Sequence, residues 1–228
     1  GKPVFVSDCL RLWETINDFH PNQESASRFM NYVEHLLPIH YLRNLAQEGP
    51  EKLSGVAIFI DGPLAIFGQG GWMHKSIMRF LSNLRNDLLA KDLEPPLIIG
   101  LQKTGRLIDY LRVLDPNLPP NRIFSVSDEF RYKYLGVKRS REGFGSATYY
   151  GHDFAFKSPS GKLFVISLPY PFASKSDLND FSKEKGELAH YPELARALGL
   201  VSKLETDLYK NSLIPIALAH RHASISVR

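Results

Sequence analysis

The chain has 228 residues, 28 Lys and Arg against 24 Asp and Glu, a formal charge of +4 and a single cysteine, Cys9. That length suits one well-filled core, here read as a single domain over 1–228, and no apolar run approaches the roughly 18 residues of a membrane helix. One cysteine excludes an intramolecular disulfide and a cysteine zinc site and suits a reducing, cytoplasmic setting, while the mild basic excess permits a polyanionic partner without requiring one.

Residues 1–6 read as a short strand-like piece rather than a secretory signal. A helix is expected over 7–19 through Leu10, Leu12, Trp13 and Ile16. A longer one follows over 24–47, carried by Phe29, Tyr32, Val33, Leu36 and Leu37, with Pro38 expected to kink or break it. These form a helical N-terminal part over 7–47. The run Val56-Ala57-Ile58-Phe59-Ile60 reads as a central strand buried on both faces, closed by Asp61-Gly62-Pro63. An amphipathic helix over 72–89 and a second buried strand over 96–101 come next. Thr104 is expected to cap a helix that Asp115-Pro116 stops near Leu114. Alternation of helix and strand implies parallel pairing and an α/β core. Strands over 146–157 and 162–168, joined by Ser158-Pro159-Ser160-Gly161, form a hairpin expected at the edge of the same sheet, completing a sheet core over 54–168. A lysine-rich stretch over 174–187 leads to C-terminal helices over 190–228, with Gly199 read as a stop.

Several residues are candidates for chemistry. Asp61 stands at the carboxyl end of a strand, where open α/β sheets place their ligands, so it is read as a metal ligand, with a turn-capping Asp as the alternative. Lys103 lies just beyond the second strand and should meet Asp61 at one rim. That pairing suits a metal-binding acid beside a phosphate-contacting cation, or a structural ion pair. Gly70-Gly71-Trp72-Met73-His74-Lys75-Ser76 lacks the Gly that a phosphate loop places before its Lys, so a flexible substrate loop is the better reading. Arg131, Lys133, Lys138, Arg139 and Arg141 alternate with Phe130, Tyr132, Tyr134 and Phe144, as in single-strand binders or in plain solvated surface. His220 and His222 ride an apolar helix and point to different sides of it, so one alone can enter a site. Glu34, flanked by apolar neighbours, is read as facing the core or a cleft, with a solvent-facing Glu as the alternative.

Four stretches together resemble the NurA nuclease family, whose members work with the hexameric HerA ATPase. They are Ile58-Phe59-Ile60-Asp61-Gly62-Pro63-Leu64, Ile98-Ile99-Gly100-Leu101-Gln102-Lys103, the hairpin from Tyr150-Gly151 to Pro169, and Ile214-Pro215-Ile216-Ala217-Leu218-Ala219-His220. The resemblance implies an RNase H-like mixed sheet flanked by helices, with a C-terminal helical region. It also implies a homodimeric nuclease acting on DNA, in break repair or antiphage defence, using manganese, with magnesium as the alternative. Its metal site would draw on Asp61, Glu34 and His220, with Lys103 on the scissile phosphate and Tyr209 as the nearest candidate for the family's Tyr. The family's Asp-Gly-Ser strand has no counterpart, and Asp8 lacks the following Gly. The chain is therefore expected to be the C-terminal part of a longer nuclease, or a non-catalytic adaptor on the ATPase. A single-stranded nucleic-acid binding module is the third reading.

Overall fold

A computed structural model describes residues 10–11, 22–208 and 212–223. Apart from Leu10 and Arg11, which sit in a turn, the helix expected over 7–19 lies outside the described residues, as does Tyr209.

The first helix, α1, runs without a break over Asn22–Glu48 with Pro38 inside it, where the sequence predicts a kink or break. Pro38 removes one backbone donor. Tyr32 and His35 before it and Leu42 after it are all buried, and that shared packing holds both halves in one helix. Strand β1 (Ala57–Asp61) leads through a tight return and a 3-10 turn over Gly68–Trp72 into α2 (Met73–Leu89), and then to β2 (Leu97–Gln102). The substrate loop read at Gly70-Gly71 is therefore a packed turn. Both glycines are buried, the Gly70 amide donates to the Tyr32 hydroxyl at 2.9 Å, and a Cβ at Gly70 would meet the Tyr32 ring. Helix α3 (Arg106–Leu114) starts at Gly105, whose φ of 107° makes the turn that Thr104 was expected to cap.

Strand β3 (Arg122–Ser125) and helix α4 (Asp128–Tyr134) are absent from the sequence reading. Ser127 caps α4 by accepting from the Phe130 amide at 3.2 Å, a serine-then-acid start that was there to be read. Then come β4 (Gly151–Lys157), β5 (Leu163–Pro169), the single turn α5 (Phe181–Glu184), α6 (Leu194–Lys203), the two-residue strands β6 (Glu205–Thr206) and β7 (Ser212–Leu213), and α7 (Ile214–Ala223). Helix α6 runs straight through Gly199. That position is exposed, and buried Leu194, Ala197 and Val201 outweigh the roughly 1 kcal/mol a mid-helix glycine costs.

The main sheet has five strands in the order β1-β2-β5-β4-β3. β1 and β2 are parallel, with Asp61 opposite Leu101, and every other neighbour is antiparallel. This is the mixed α/β sheet flanked by helices, with a C-terminal helical region, that the sequence reading expects. Two placements differ from it. The β4–β5 hairpin is interior, because β3 takes the edge. β1 is the opposite edge rather than a central strand, with only Ile60 of its residues fully buried. Its apolar run implied burial on both faces, but Ile58 and Phe59 are only half-buried and Ala57 is exposed, as suits an edge strand. Ile58, Ile60 and Ile98 face the core beneath α1 and α2. Leu97, Ile99 and Leu101 alternate to the other face, beneath α6 and α7, with Phe59 packed beside them. Helix α3 covers Ala155, Leu163 and Val165 at the far side of the sheet.

Candidate functional site

The two parallel strands end side by side, and Asp61 and Lys103 stand at that rim. Gly62, at φ 143°, turns the chain back so that its carbonyl lies against Gly100, where a Cβ would come within 2.6 Å of it. The turn locks the backbone at Asp61 onto β2. Beyond β2, the Arg112 side chain donates to the Lys103 carbonyl at 3.4 Å. Lys103 Nζ then reaches Asp61 Oδ2 at 2.7 Å, the pairing expected from sequence.

His220 arrives from the other end of the chain. Ile216 and Ala217 are buried, and helical spacing of three and four residues puts His220 one turn further along the same face. Its Nε2 lies 2.7 Å from Asp61 Oδ2 and 3.0 Å from Lys103 Nζ. One imidazole nitrogen cannot donate and accept at once. With a proton on Nε2, it donates to Asp61 and stands merely adjacent to the ammonium. Without that proton, its one lone pair accepts from Lys103 and no hydrogen bond to Asp61 remains. His222 is exposed.

These three side chains retain 39% (Asp61), 24% (Lys103) and 54% (His220) of their exposure. Ion pairs so open to water contribute about 0–1 kcal/mol, so stability does not account for bringing them together. Asp61 and His220 border a cleft of about 380 Å³ whose walls are α1, β1 and α7, and Lys103 meets them from beyond β2. Glu34 and Pro38 line it from α1, Phe59 from β1 and Ala219 from α7. Glu34 lines that cleft but is solvent-exposed, as the alternative reading of its position had it. Its helix is pinned next door, where buried His35 holds Nδ1 2.6 Å from the Tyr150 hydroxyl and burial lowers the imidazole pKa to about 4.

Comparison of the chain with family models, with curated proteins and with solved structures finds no match. The site therefore rests on its own geometry. Among the described residues, no group of three or more His, Cys, Asp or Glu side chains stands ready to hold an ion. Asp61 and His220 do form a two-donor edge. Adjacent ligands of an octahedral ion with bonds of about 2.1 Å lie roughly 3 Å apart, and oxygen with nitrogen suits such a cation when water and substrate complete the sphere.

The proposed DNA-binding cluster divides. Lys133, Lys138, Arg139 and Arg141 are exposed, with Arg139 paired to Glu129 at 2.9 Å. Arg131 is not at the surface. It is buried, donates to Asp153 Oδ2 at 2.5 Å and lies over the Phe144 ring. It belongs to an internal charge network in which Ser167 donates to Asp153 and Lys185 pairs with Asp128 at 2.7 Å. Phe130 and Tyr134 pack on Tyr110 rather than offering a row of stacking faces. The sequence reading missed Phe59, Pro38 and Ala219 as cleft walls. Proximity to Asp61 and to His220 flags Phe59 and Ala219, and Pro38 shares a helix face with Glu34 four residues earlier.

Proposed function

We propose that the chain is a divalent-metal-dependent deoxyribonuclease that hydrolyses phosphodiesters and works with a HerA-type hexameric ATPase, as the NurA nucleases it resembles do. One observation supports this above the rest: Asp61 and His220 meet on a cleft that Glu34 also lines, with Lys103 bonded to Asp61, though all four come from well-separated parts of the chain. Asp61 and His220 are the side chains that would hold manganese or magnesium. When bound, such an ion polarises a phosphoryl oxygen and lowers the pKa of water. Lys103, released from His220, neutralises the scissile phosphate. Glu34 supplies a second carboxylate from the α1 wall, to position or deprotonate the attacking water. A homodimer serving break repair or antiphage defence completes the reading.

A second reading, an adaptor that keeps the fold and docks on the ATPase, is favoured by Lys103 occupying the Asp61 carboxylate where a third ligand would help.

Cleavage of end-labelled duplex and single-stranded DNA separates them, with manganese, magnesium or EDTA, with and without the ATPase. Metal-dependent cleavage lost in a folded Asp61→Ala variant is the expected result. Full activity in that variant removes Asp61 from the site. Absence of cleavage in the wild type, with the ATPase still bound, makes the chain an adaptor.

A further inference from the structure

A second cleft, of about 520 Å³, opens beside the start of α2 and carries an unusual excess of positive charge. Lys75 and Arg79 are exposed on α2 four residues apart, and so share a helix face at a small repulsive cost. Lys175 enters from the opposite wall, half-buried, next to Ser174. None of these three cations has a carboxylate partner among the described residues, and Glu142 is the one acid on the cleft. Lys175 is also held in place. The buried His74 ring has Nδ1 2.5 Å from the Gly71 carbonyl, so that nitrogen carries the proton and donates. Its Nε2 then accepts from Lys175 Nζ at 3.2 Å. Burial first, then the neighbouring charges of Lys75 and Lys185, lowers the Lys175 pKa to about 8. Other cations raise its energy there, and an anion in the cleft would reverse that.

We propose that this cleft binds a phosphate group, carried by a polynucleotide strand or by a free nucleotide, through Lys75, Arg79 and Lys175. Three cationic donors lining one roomy, open hollow suit phosphate contacts, which position a strand without reading its bases. His74 acts as a positioning residue that aims Lys175. This binding stands whether or not the cleft at Asp61 holds a metal.

The full chain is titrated in EDTA with inorganic phosphate, a deoxynucleoside 5′-monophosphate and a short oligothymidylate. Binding is followed by calorimetry and by anisotropy of a labelled oligonucleotide. Lys75→Ala and Lys175→Ala should each weaken the bound probe about tenfold. Each should also reduce the salt slope for the oligonucleotide by about one, while Lys91→Ala, at an exposed lysine that lines neither cleft, leaves both readouts unchanged. Binding of the oligonucleotide alone identifies a strand track; equal binding of the mononucleotide identifies a nucleotide pocket. Lysine variants that bind like the wild type, or failure of every probe to bind, would overturn the proposal. The lysine variants should keep the wild-type circular dichroism spectrum, since Lys75 is exposed and the half-buried Lys175 touches the buried His74 and Phe181 rings only through its ammonium end. Lys175→Arg, which keeps the charge, should recover part of the lost affinity.

Discussion

A charged side chain means different things at Arg131 and at Arg139, eight positions apart. Arg139 pairs with an exposed Glu129, and Arg139→Ala should change stability by no more than about 0.5 kcal/mol. Arg131 pairs with Asp153 beneath the surface. Asp153→Ala would strand its guanidinium in the core, and such a loss costs about 3–5 kcal/mol. Chemical denaturation of the two variants checks this, and similar midpoints would show that the buried pair is not a structural linchpin. The same contrast explains which parts of the site were legible. Asp61 and Lys103 each follow a strongly apolar strand, so their meeting could be derived from parallel pairing alone. The Asp153 that neutralises Arg131 sits within an aromatic strand, and nothing near Arg131 in sequence announces it.

At the scale of elements, long apolar or amphipathic segments read well: β2, α2, the hairpin strands and α7 lie close to where their patterns put them. The failures share a cause, which is tertiary packing overriding local signals. Pro38 and Gly199 are helix breakers on local grounds, yet buried neighbours on both sides carry the helix through each. β3 is four residues long and follows a proline-rich approach, too short for its alternation to stand out. Missing it put the hairpin at the edge of the sheet. The return at Gly62 is the element-scale feature most open to test. Gly100→Ala would press a methyl group into the Gly62 carbonyl and the Leu64 side chain, and overpacking of this kind costs about 1–3 kcal/mol. Unfolding by denaturant should show that loss; an unchanged midpoint would mean that the return shifts freely and does not fix Asp61.

Across the whole molecule, buried histidines couple stability to pH, His35 and His152 most strongly and His74 in the same direction. Burial lowers both His35 and His152 to about 4 from an ordinary 6.5, so the folded protein keeps them neutral where the unfolded chain protonates. Folded pKa values below the unfolded ones give stability that is complete above about pH 6.5 and is lost as pH falls toward 4. Each histidine contributes on the order of 3 kcal/mol to that change. Thermal unfolding from pH 7.5 to 4.5 should show the decline, and His152→Gln should flatten it; an unaltered slope would exclude His152 as its source.

The contact between Asp61 and His220 spans 159 residues of chain. A polypeptide made from its N-terminus at roughly 5–20 residues per second can finish β1, β2 and their ion pair well before α7 leaves the ribosome. The rim then waits with two of its three members in place. Whatever chemistry the rim performs is withheld through most of synthesis, so a half-made chain, tethered near nucleic acid, carries a site that is still incomplete.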